Sequence, residues 1–516
     1  MLAIPATRVV IDHRVCEGCG DCGVQSNCLS LEPIETEYGR KTKIDQASCN
    51  LDRSCIKGDC PAFVTVTPAK GKRKSVGTTG FAALTEPNRI VPSTGVTIRM
   101  PGIGGTGVVT ISQILLAAAK IDGLKASAVD QTGLSQKAGP VVSTVEMGEP
   151  SPGQVDLLLA FDLLTAINPP NVEGLDPKWS HVVASTTVTP TGRMIGHVAS
   201  SALDIAPYRA DLDSRSEGAS NRYVDSARLT IGLLGSALTS NVFLLGVALQ
   251  AGMLPLSSSA IERAIELNGV AVEANKEAFA WGRRWAVDPD AVEKAARGTK
   301  VKLADTKGLE DLRTAALIEF VASRRVDLRA YQDAKYADRY VDLVRRCAAA
   351  EQIAGTDGSF TFTVAQQLFR VMAYKDEYEV ARLLSDGKAR AEDALGGPIE
   401  SMTWNLHPPS LRAAGMKRKL KLGPWSKPGL VVLAKGKRLR GTAVDPFGRS
   451  AMRQTERQLI DEYAALVESL LSTLSTDASR ASHIAGLIDK VRGYESVKER
   501  NLELYRTELE TALKEK

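Results

Sequence analysis

The sequence predicts an α/β protein with three domains. A small cysteine-rich domain is expected over residues 1–67, a doubly wound α/β domain over residues 95–299 and a mostly helical domain over residues 300–516. Three observations support this division. Seven of the eight cysteines lie in the first 60 residues, and they are followed by a strand, a glycine-rich loop and a helix. Further along the chain, apolar residues recur at helical spacing. Residues 68–94 are expected to be a linker, and 516 residues with 44% hydrophobic content suffice for about three cores.

Charge and hydropathy exclude two classes of protein. The 65 Lys and Arg residues against 60 Asp and Glu give a net charge of +5, which is too mild for a dedicated nucleic-acid binder. The uncharged run 229–261 is broken by glycines, polar residues and Pro255, which favours buried helices over a membrane span. Residues 1–14 contain Pro5 and charged side chains where a signal peptide would be apolar. We therefore expect a soluble, cytoplasmic protein.

The N-terminal cysteines are expected to bind metal. They are Cys16, Cys19, Cys22, Cys28, Cys49, Cys55 and Cys60. Disulfides are rare in a reducing compartment, and an odd number of thiols does not form a paired framework. The eighth cysteine, Cys347, stands in a helical pattern and is expected to be a small buried residue.

One group of thiols has the spacing of an iron–sulfur site. Cys16, Cys19 and Cys22 are each separated by two residues, so one tight loop can bind three corners of an iron–sulfur cube. In two-cluster ferredoxins, the cysteine that precedes a proline ligates the cluster held by the other motif. Cys60 precedes Pro61 and is therefore assigned with the first three to one [4Fe-4S] centre of a ferredoxin-like domain.

The other three thiols allow more than one centre. Cys28, Cys49 and Cys55 can hold a [3Fe-4S] cluster, or a second cube with a fourth ligand other than cysteine. Candidates for that ligand are Asp52, Asp59 and His13. Zinc is the alternative metal, but a zinc ribbon needs a second C-x2-C pair, and here the spacings are five and four residues. The spacing favours iron–sulfur over zinc.

The glycine-rich loop is a second candidate site. A strand over residues 95–100, a loop over residues 101–107 and a helix over residues 108–121 form the context of a phosphate-binding turn. The candidate binding residues are Gly102, Gly104, Gly105, Thr106, Gly107 and Thr110. The same glycines fit a dinucleotide fingerprint for NAD or FAD, with Asp130 as the ribose-binding acid. A tight turn that binds no ligand is the structural alternative.

The remainder of this domain continues the α/β pattern. Strands are expected over residues 125–129, 141–146, 155–161 and 181–187, and helices over residues 241–285. The polar loop 130–140 lies where open sheets bind ligands, and its Lys137 is a candidate phosphate partner or a solvated surface lysine.

The last domain has a helical pattern but no motif that indicates a reaction. Helical spacing is clearest over residues 340–347, 364–384 and 456–471, whereas residues 429–434 are expected to form a strand. Basic runs at 417–421 and 435–440 are interpreted as a solvated or subunit-facing surface, because no array of aromatic residues accompanies them.

These motifs together resemble one enzyme family. Residues 15–28 and 49–61 resemble the cysteine segments of the long-chain indolepyruvate ferredoxin oxidoreductases. Residues 102–110 and 136–139 resemble the gamma domain of the 2-oxoacid:ferredoxin oxidoreductases. The blocks at 406–409, 423–425, 445–448 and 492–501 resemble the domain that ends those long chains.

The resemblance implies a reaction shared with another polypeptide. Family members use thiamine diphosphate held through magnesium, and the G-D-G signature of that site is absent from this sequence. The resemblance therefore implies a thiamine-diphosphate-binding partner, in a heterodimer or a dimer of heterodimers. A fragment of a longer chain is the alternative, and the initial methionine favours a subunit.

In the implied reaction, indolepyruvate or another aryl pyruvate is decarboxylated on the partner, and coenzyme A collects the acyl group. Electrons pass singly through the clusters to ferredoxin or a similar acceptor, and the loop 102–110 holds coenzyme A phosphates. Two other classes stay open: a self-contained NAD- or FAD-linked iron–sulfur oxidoreductase, and a non-catalytic electron-transfer subunit or scaffold.

Overall fold

The structure is a computed structural model of the chain. It describes residues 6–46, 48–69, 84–133, 139–189, 191, 194, 203–296, 305–408, 415–416 and 418–514. Most of the predicted linker, residues 70–83, lies outside the described residues, as does Lys137. The described chain is a mixed α/β protein, as the sequence predicts.

The cysteine-rich region is built on two strand pairs. Its elements are β1 (Arg8–Ile11), α1 (Asp21–Ser26), β2 (Leu31–Thr36), β3 (Gly39–Ile44) and β4 (Phe63–Pro68). β2 and β3 form an antiparallel hairpin, and β1 pairs antiparallel with β4, with Val9 opposite Thr65. The pairing of β1 with β4 brings the two ends of the cysteine segment together.

The following region contains a six-stranded sheet. Its strands are β5 (Gly95–Ile103), β6 (Ala126–Thr132), β7 (Pro140–Gly148), β8 (Leu157–Ala160), β9 (His181–Ser185) and β10 (Arg222–Val224). The spatial order is β10-β9-β8-β5-β7-β6. β5, β8, β9 and β10 run parallel, whereas β7 is antiparallel to both β5 and β6. All strands expected from the sequence in this region are confirmed within a few residues.

Helices pack on both faces of this sheet. They are α2 (Val108–Ile121), α3 (Leu163–Ala166), α4 (Pro169–Val172), α5 (Ala206–Ser214), α6 (Ser226–Leu234), α7 (Ser240–Gln250), α8 (Ser258–Asn268), α9 (Val272–Val287) and α10 (Pro289–Ala296). One face packs against α2 and α6 to α10, and the other against α3, α4 and α5. α2 has the bounds that the sequence predicts, and the helices expected over residues 241–285 are present.

The long uncharged run forms buried helices. Every residue from Asn241 to Leu249 in α7 is buried, because the helix lies between the sheet and α9 and is apolar all round. Gly246 and Gly282 allow the two backbones to approach, since a Cβ at Gly282 would lie 1.9 Å from the Phe243 carbonyl oxygen. In the part of the chain that the structure describes, no helix combines the length and apolarity needed to cross a bilayer.

The C-terminal region is mostly helical, as predicted. Its helices are α11 (Ala315–Tyr331), α12 (Ala334–Ala354), α13 (Ser359–Met372), α14 (Glu377–Ser385), α15 (Lys388–Leu395), α16 (Lys427–Lys435), α17 (Ala451–Leu471), α18 (Leu474–Gly486) and α19 (Ser496–Lys514). The strand expected over residues 429–434 is wrong, because these residues lie within α16. Leu430, Leu433 and Ala434 face the core at helical spacing, and a short apolar run does not distinguish a strand from a helix.

Two C-terminal strands complete the N-terminal sheet. β11 (Ile399–Leu406) pairs antiparallel with β4, with Trp404 opposite Val64, and β12 (Leu420–Leu422) pairs with β11. The sheet order is β1-β4-β11-β12. The cysteine-rich region and the C-terminal region therefore share one sheet, an arrangement that the sequence analysis did not foresee.

Candidate functional site

Five thiols line one cavity beside the β1–β4 pair. They belong to Cys16, Cys19, Cys22, Cys55 and Cys60, and apolar walls are supplied by Ile11 and Phe63. The four thiols that the sequence assigns to the first centre are therefore brought together. Cys60 joins the others because the Asp12 amide, just after β1, donates to the Ala62 carbonyl oxygen just before β4, at 2.9 Å.

The loop from Cys16 to Cys22 depends on glycine. Gly18 has a φ of 66°, and a Cβ there would lie 2.1 Å from the carbonyl oxygen of Arg40. Its amide donates to Cys16 Sγ at 3.3 Å. Hydrogen bonds of this kind to the sulfurs help to set the potential of an iron–sulfur cluster. Gly20, with a φ of 78°, is the N-cap of α1 and places Cys22 in the first turn of that helix.

The thiols of this group are held away from water. Burial raises the pKa of Cys19 to about 12. Burial also raises the pKa of Cys60 well above its usual value, and the neighbouring Cys16 and Cys19 add to the effect. Without metal these groups are neutral thiols at pH 7, and they would release protons on binding a cluster as thiolates. Soft sulfur donors around a closed, water-poor cavity suit iron–sulfur ligation.

The arrangement is not that of a mononuclear site. Within the residue ranges that the structure describes, no three Cys, His, Asp or Glu side chains form a group that could hold one metal ion. The thiols of a cube each bond a different iron, so cube ligands surround a space and need not meet at a point. Five thiols line one cavity here.

The other three cysteines form a neighbouring group. Burial, together with the nearby Cys28 and Cys49 thiols, raises the pKa of Cys55 to about 12. Cys55 also lines the cavity of the first group and is an electrostatic neighbour of Cys22. Of the three candidate fourth ligands, the Asp52 carboxylate is near enough to Cys55 to raise the pKa of its thiol. The Asp59 carboxylate contacts His407 Nδ1 at 2.8 Å. The third candidate, His13, has as its charged neighbours Asp12, Arg390, Lys41 and Arg14.

Two lysines that the sequence analysis did not identify lie beside the first group. Lys41 Nζ donates to the Cys16 carbonyl oxygen at 2.7 Å, and Lys419 Nζ donates to that of Cys60 at 2.7 Å. Burial lowers the pKa of Lys41 to about 8. Their positive charges offset the negative charge that thiolates and a reduced cluster would bring. Lys41 lies in β3, and Lys419 directly precedes β12 within the basic run 417–421, where it is not the solvated surface residue that the sequence predicts.

The glycine-rich loop connects β5 to α2. Gly107 is the N-cap of α2 with a φ of 95°, and Thr110 lies in the first turn of the helix. Gly105 and Thr106 are exposed, and nothing lies within 4 Å of a Cβ built at Gly105. The loop is anchored from α7, where Asn241 Nδ2 donates to the Thr106 carbonyl oxygen at 2.9 Å. An open loop at a helix N-terminus can accept an anion.

Some of the predicted binding residues have structural partners instead. The Gly104 amide donates to the Gly139 carbonyl oxygen at 2.7 Å, and the Thr106 hydroxyl donates to that of Ile103 at 2.7 Å. Gly102 is buried, and a Cβ there would lie 2.6 Å from Val108 Cγ2, so this glycine serves helix packing. The exposed tip of the loop at Gly105 is the part open to a ligand.

Asp130 does not lie beside this loop. It lies within β6, which the antiparallel strand β7 separates from β5, and it accepts a hydrogen bond from Ser143 Oγ at 2.5 Å. In a dinucleotide-binding fold the ribose-binding acid follows a parallel strand next to the first strand. The position of Asp130 therefore does not support an NAD or FAD site.

Two parts of the chain match known families. Residues 97–285 match the family model described as pyruvate ferredoxin/flavodoxin oxidoreductase. Residues 317–511 match a family of unknown function, DUF6537.

Individual relatives match about a third of the chain. Indolepyruvate oxidoreductase subunit IorB of Pyrococcus horikoshii is 27% identical over 198 residues, which are 36% of this chain and 93% of the relative. Among solved structures, pyruvate oxidoreductase subunit PORC of Thermotoga maritima is 21% identical, covers 37% of this chain and 96% of its own, and has a TM-score of 0.29. The gamma subunit of a keto/oxoacid ferredoxin oxidoreductase of Geobacter sulfurreducens is 20% identical, covers 37% and 97%, and has the same TM-score of 0.29.

Proposed function

Because residues 97–285 match the family model described as pyruvate ferredoxin/flavodoxin oxidoreductase, we propose that this protein is the electron-transferring subunit of an indolepyruvate or aryl-pyruvate oxidoreductase. Its partner is a thiamine-diphosphate-binding chain, coenzyme A is the acyl acceptor, and ferredoxin or a similar carrier takes the electrons. The observation that carries this proposal is the cavity lined by Cys16, Cys19, Cys22 and Cys60 in the same chain as the family domain. The indolepyruvate substrate is supported by the sequence resemblance and by the subunit of that name among the relatives.

The residues of this chain have distinct roles in the proposal. A [4Fe-4S] cluster, when bound, supplies one-electron transfer. The four cysteines hold it, and Ile11 and Phe63 keep water from the sulfurs. The Gly18 amide and the ammonium groups of Lys41 and Lys419 stabilise the negative charge of the thiolates.

A second cluster is proposed on Cys28, Cys49 and Cys55, with Asp52 as the fourth ligand. Asp52 is favoured because it is an electrostatic neighbour of Cys55, and its Oδ1 accepts hydrogen bonds from the Ser54 amide and hydroxyl, both at 2.9 Å. The group of four thiolates and the group of three thiolates would each hold one cluster. Electrons would then pass through two centres in this chain. Cys55, a proposed ligand of the second cluster, also lines the cavity of the first.

The test is metal analysis and turnover of the chain purified without oxygen together with its native partner. We expect about eight irons per chain, two EPR signals from reduced clusters, and aryl-pyruvate oxidation that needs coenzyme A. About seven irons with the signal of a [3Fe-4S] cluster would remove Asp52 as a ligand. Zinc in place of iron, or stoichiometric flavin or NAD on the chain with no partner, would overturn the proposal.

The glycine loop is proposed to hold the coenzyme A phosphates at Gly105. Gly105→Asp places a carboxylate at the exposed tip, where it would repel a phosphate, and we expect the KM for coenzyme A to rise about tenfold. The matched control is Gly105→Asn, which imposes the same backbone strain at a φ of 90° without the charge. Steady-state kinetics at varied coenzyme A concentrations would separate the effect of the charge from the effect of the backbone strain. Equal KM values for both variants would show that the loop binds no phosphate.

A further inference from the structure

A short C-terminal segment lies directly on the first cysteine loop. Arg492 Nη1 donates to the Glu17 carbonyl oxygen at 2.9 Å and to that of Arg40 at 3.3 Å. Tyr494 Oη donates to the Val15 carbonyl oxygen at 2.5 Å. Between them, a Cβ built at Gly493 would lie 3.4 Å from Cys19 Cβ. Residues 492–494, here called the clamp, therefore contact both sides of the Cys16–Cys19 turn.

The clamp is held in place by its own region. Arg492 Nη2 donates to Asp489 Oδ1 at 2.5 Å, and Asn501 Nδ2 donates to the Arg492 carbonyl oxygen at 2.8 Å. Gly493 has a φ of 106°, and a Cβ there would lie 2.7 Å from Val497 Cγ1. Glycine is thus required both for the turn and for the close approach to Cys19. The conformation of the clamp is fixed by contacts that do not involve the cysteine loop.

Arg492 brings a buried positive charge to this turn. Its relative exposure is only 5%. Among the described residues, the carboxylate that Arg492 contacts is that of Asp489, which also lies 3.8 Å from Arg370 and 3.9 Å from Arg40. Glu17, which interacts electrostatically with Arg370, adds a second carboxylate, so Arg492 is one positive charge in a mixed cluster beside the loop. A positive charge in a poorly solvated site favours the more negative, reduced state of a nearby cluster.

Glu17 shows that the loop also enters the helical region. A second small cavity is lined by Glu17 together with Arg370, Tyr374, Glu456 and Lys498. All these partners belong to the part of the chain that matches the family of unknown function. The turn that carries Cys16 and Cys19 is therefore enclosed on two sides by that region.

We infer that the region of unknown function is a structural cover for the first cluster, in which the clamp fixes the Cys16–Cys19 turn and Arg492 raises the reduction potential of the cluster. This inference rests on the proposed iron–sulfur function. Arg492 is a positioning residue, since Nη1 donates to the carbonyl oxygens of Glu17 in the loop and of Arg40 in β3 and not to a sulfur.

The test compares Arg492→Gln, Arg492→Lys and the distant control Arg346→Gln in the complex purified without oxygen. Arg346 is half exposed and pairs with Glu468 on the far helices. The readouts are iron content, the midpoint potential from an EPR-monitored redox titration, and the rate at which air destroys the signal. We expect Arg492→Gln to shift the oxidised-to-reduced ratio about tenfold toward oxidised, which is about 59 mV more negative for one electron. The cluster should also be lost faster in air.

The conservative variant separates charge from shape. Arg492→Lys keeps the charge but not the paired hydrogen bonds, so we expect a potential close to that of the unchanged protein with faster loss in air. If Arg492→Gln does not fold, Tyr494→Phe removes only the hydroxyl bonded to Val15, and faster loss of the cluster is still expected. An unchanged potential and unchanged air sensitivity in a loaded Arg492→Gln protein would overturn the inference. Absence of any cluster in the unchanged protein would instead overturn the proposed function.

Discussion

Cys60→Ala is expected to remove at least one iron per chain, leaving at most a three-iron cluster on the loop cysteines, and to abolish aryl-pyruvate oxidation in the assembled complex. Cys60 is the only one of the four proposed ligands of the first cluster that lies outside the Cys16–Cys22 loop, and it closes the cavity from the β4 side. A cube left with three thiolates loses its fourth iron readily. Iron and acid-labile sulfide analysis, with EPR of the reduced protein, measures the loss.

The control for this experiment is Cys347→Ala. Cys347 is fully buried in the helical core, as the sequence predicts, and burial raises the pKa of its thiol to about 12. Its replacement is expected to cost about 1 kcal/mol of stability and no iron. Equal iron contents in the Cys60→Ala and Cys347→Ala proteins would show that Cys60 is not a ligand.

Gly282→Ala is expected to destabilise the α/β region by about 3 kcal/mol or more. The added methyl would lie 1.9 Å from the Phe243 carbonyl oxygen and 3.2 Å from Gly246 Cα. Both contacts are with backbone, so no side-chain rotation relieves them and α7 and α9 must separate. Since α7 anchors the glycine loop through Asn241, coenzyme A binding should weaken as well.

Gly429→Ala is the matched helical control. Gly429 lies in α16, and nothing is within 4 Å of a Cβ built there. Alanine is the better helix former, so this change should be neutral or stabilising by up to about 1 kcal/mol. Differential scanning calorimetry compares the transition temperatures of the two variants. These are apparent values, because a multidomain chain does not unfold in two states. A similar transition temperature for both variants would contradict close packing of α7 on α9.

The sequence predicts those features whose signal is local. α2 was placed correctly because a strand, a glycine turn and an amphipathic helix follow one another without interruption. Cys16, Cys19 and Cys22 were grouped by spacing alone, and the proline after Cys60 supplied the one long-range assignment.

Features that depend on contacts between distant segments escaped prediction. Lys419 and Arg492 lie against the cysteine loops only because the C-terminal region folds back onto the N-terminus, and nothing in the basic run 417–421 or the block 492–501 indicates that contact. The sequence left open a ribose-binding role for Asp130 because strand order is not visible in a sequence, and the intervening β7 runs antiparallel. The apolar run in α16 suited both a strand and a helix.

The shared N-terminal sheet can be completed only late in the synthesis of the chain. Asn405 in β11 donates to the carbonyl oxygen of Phe63 in β4 across a separation of 342 residues. At about 5–20 residues per second, a ribosome needs about 17–70 seconds to make the intervening chain. During that interval β4 has an unpaired edge and the cysteine loop lacks its cover. The cysteines therefore leave the ribosome first, yet the completed site becomes available for metal only after almost the whole chain has been made.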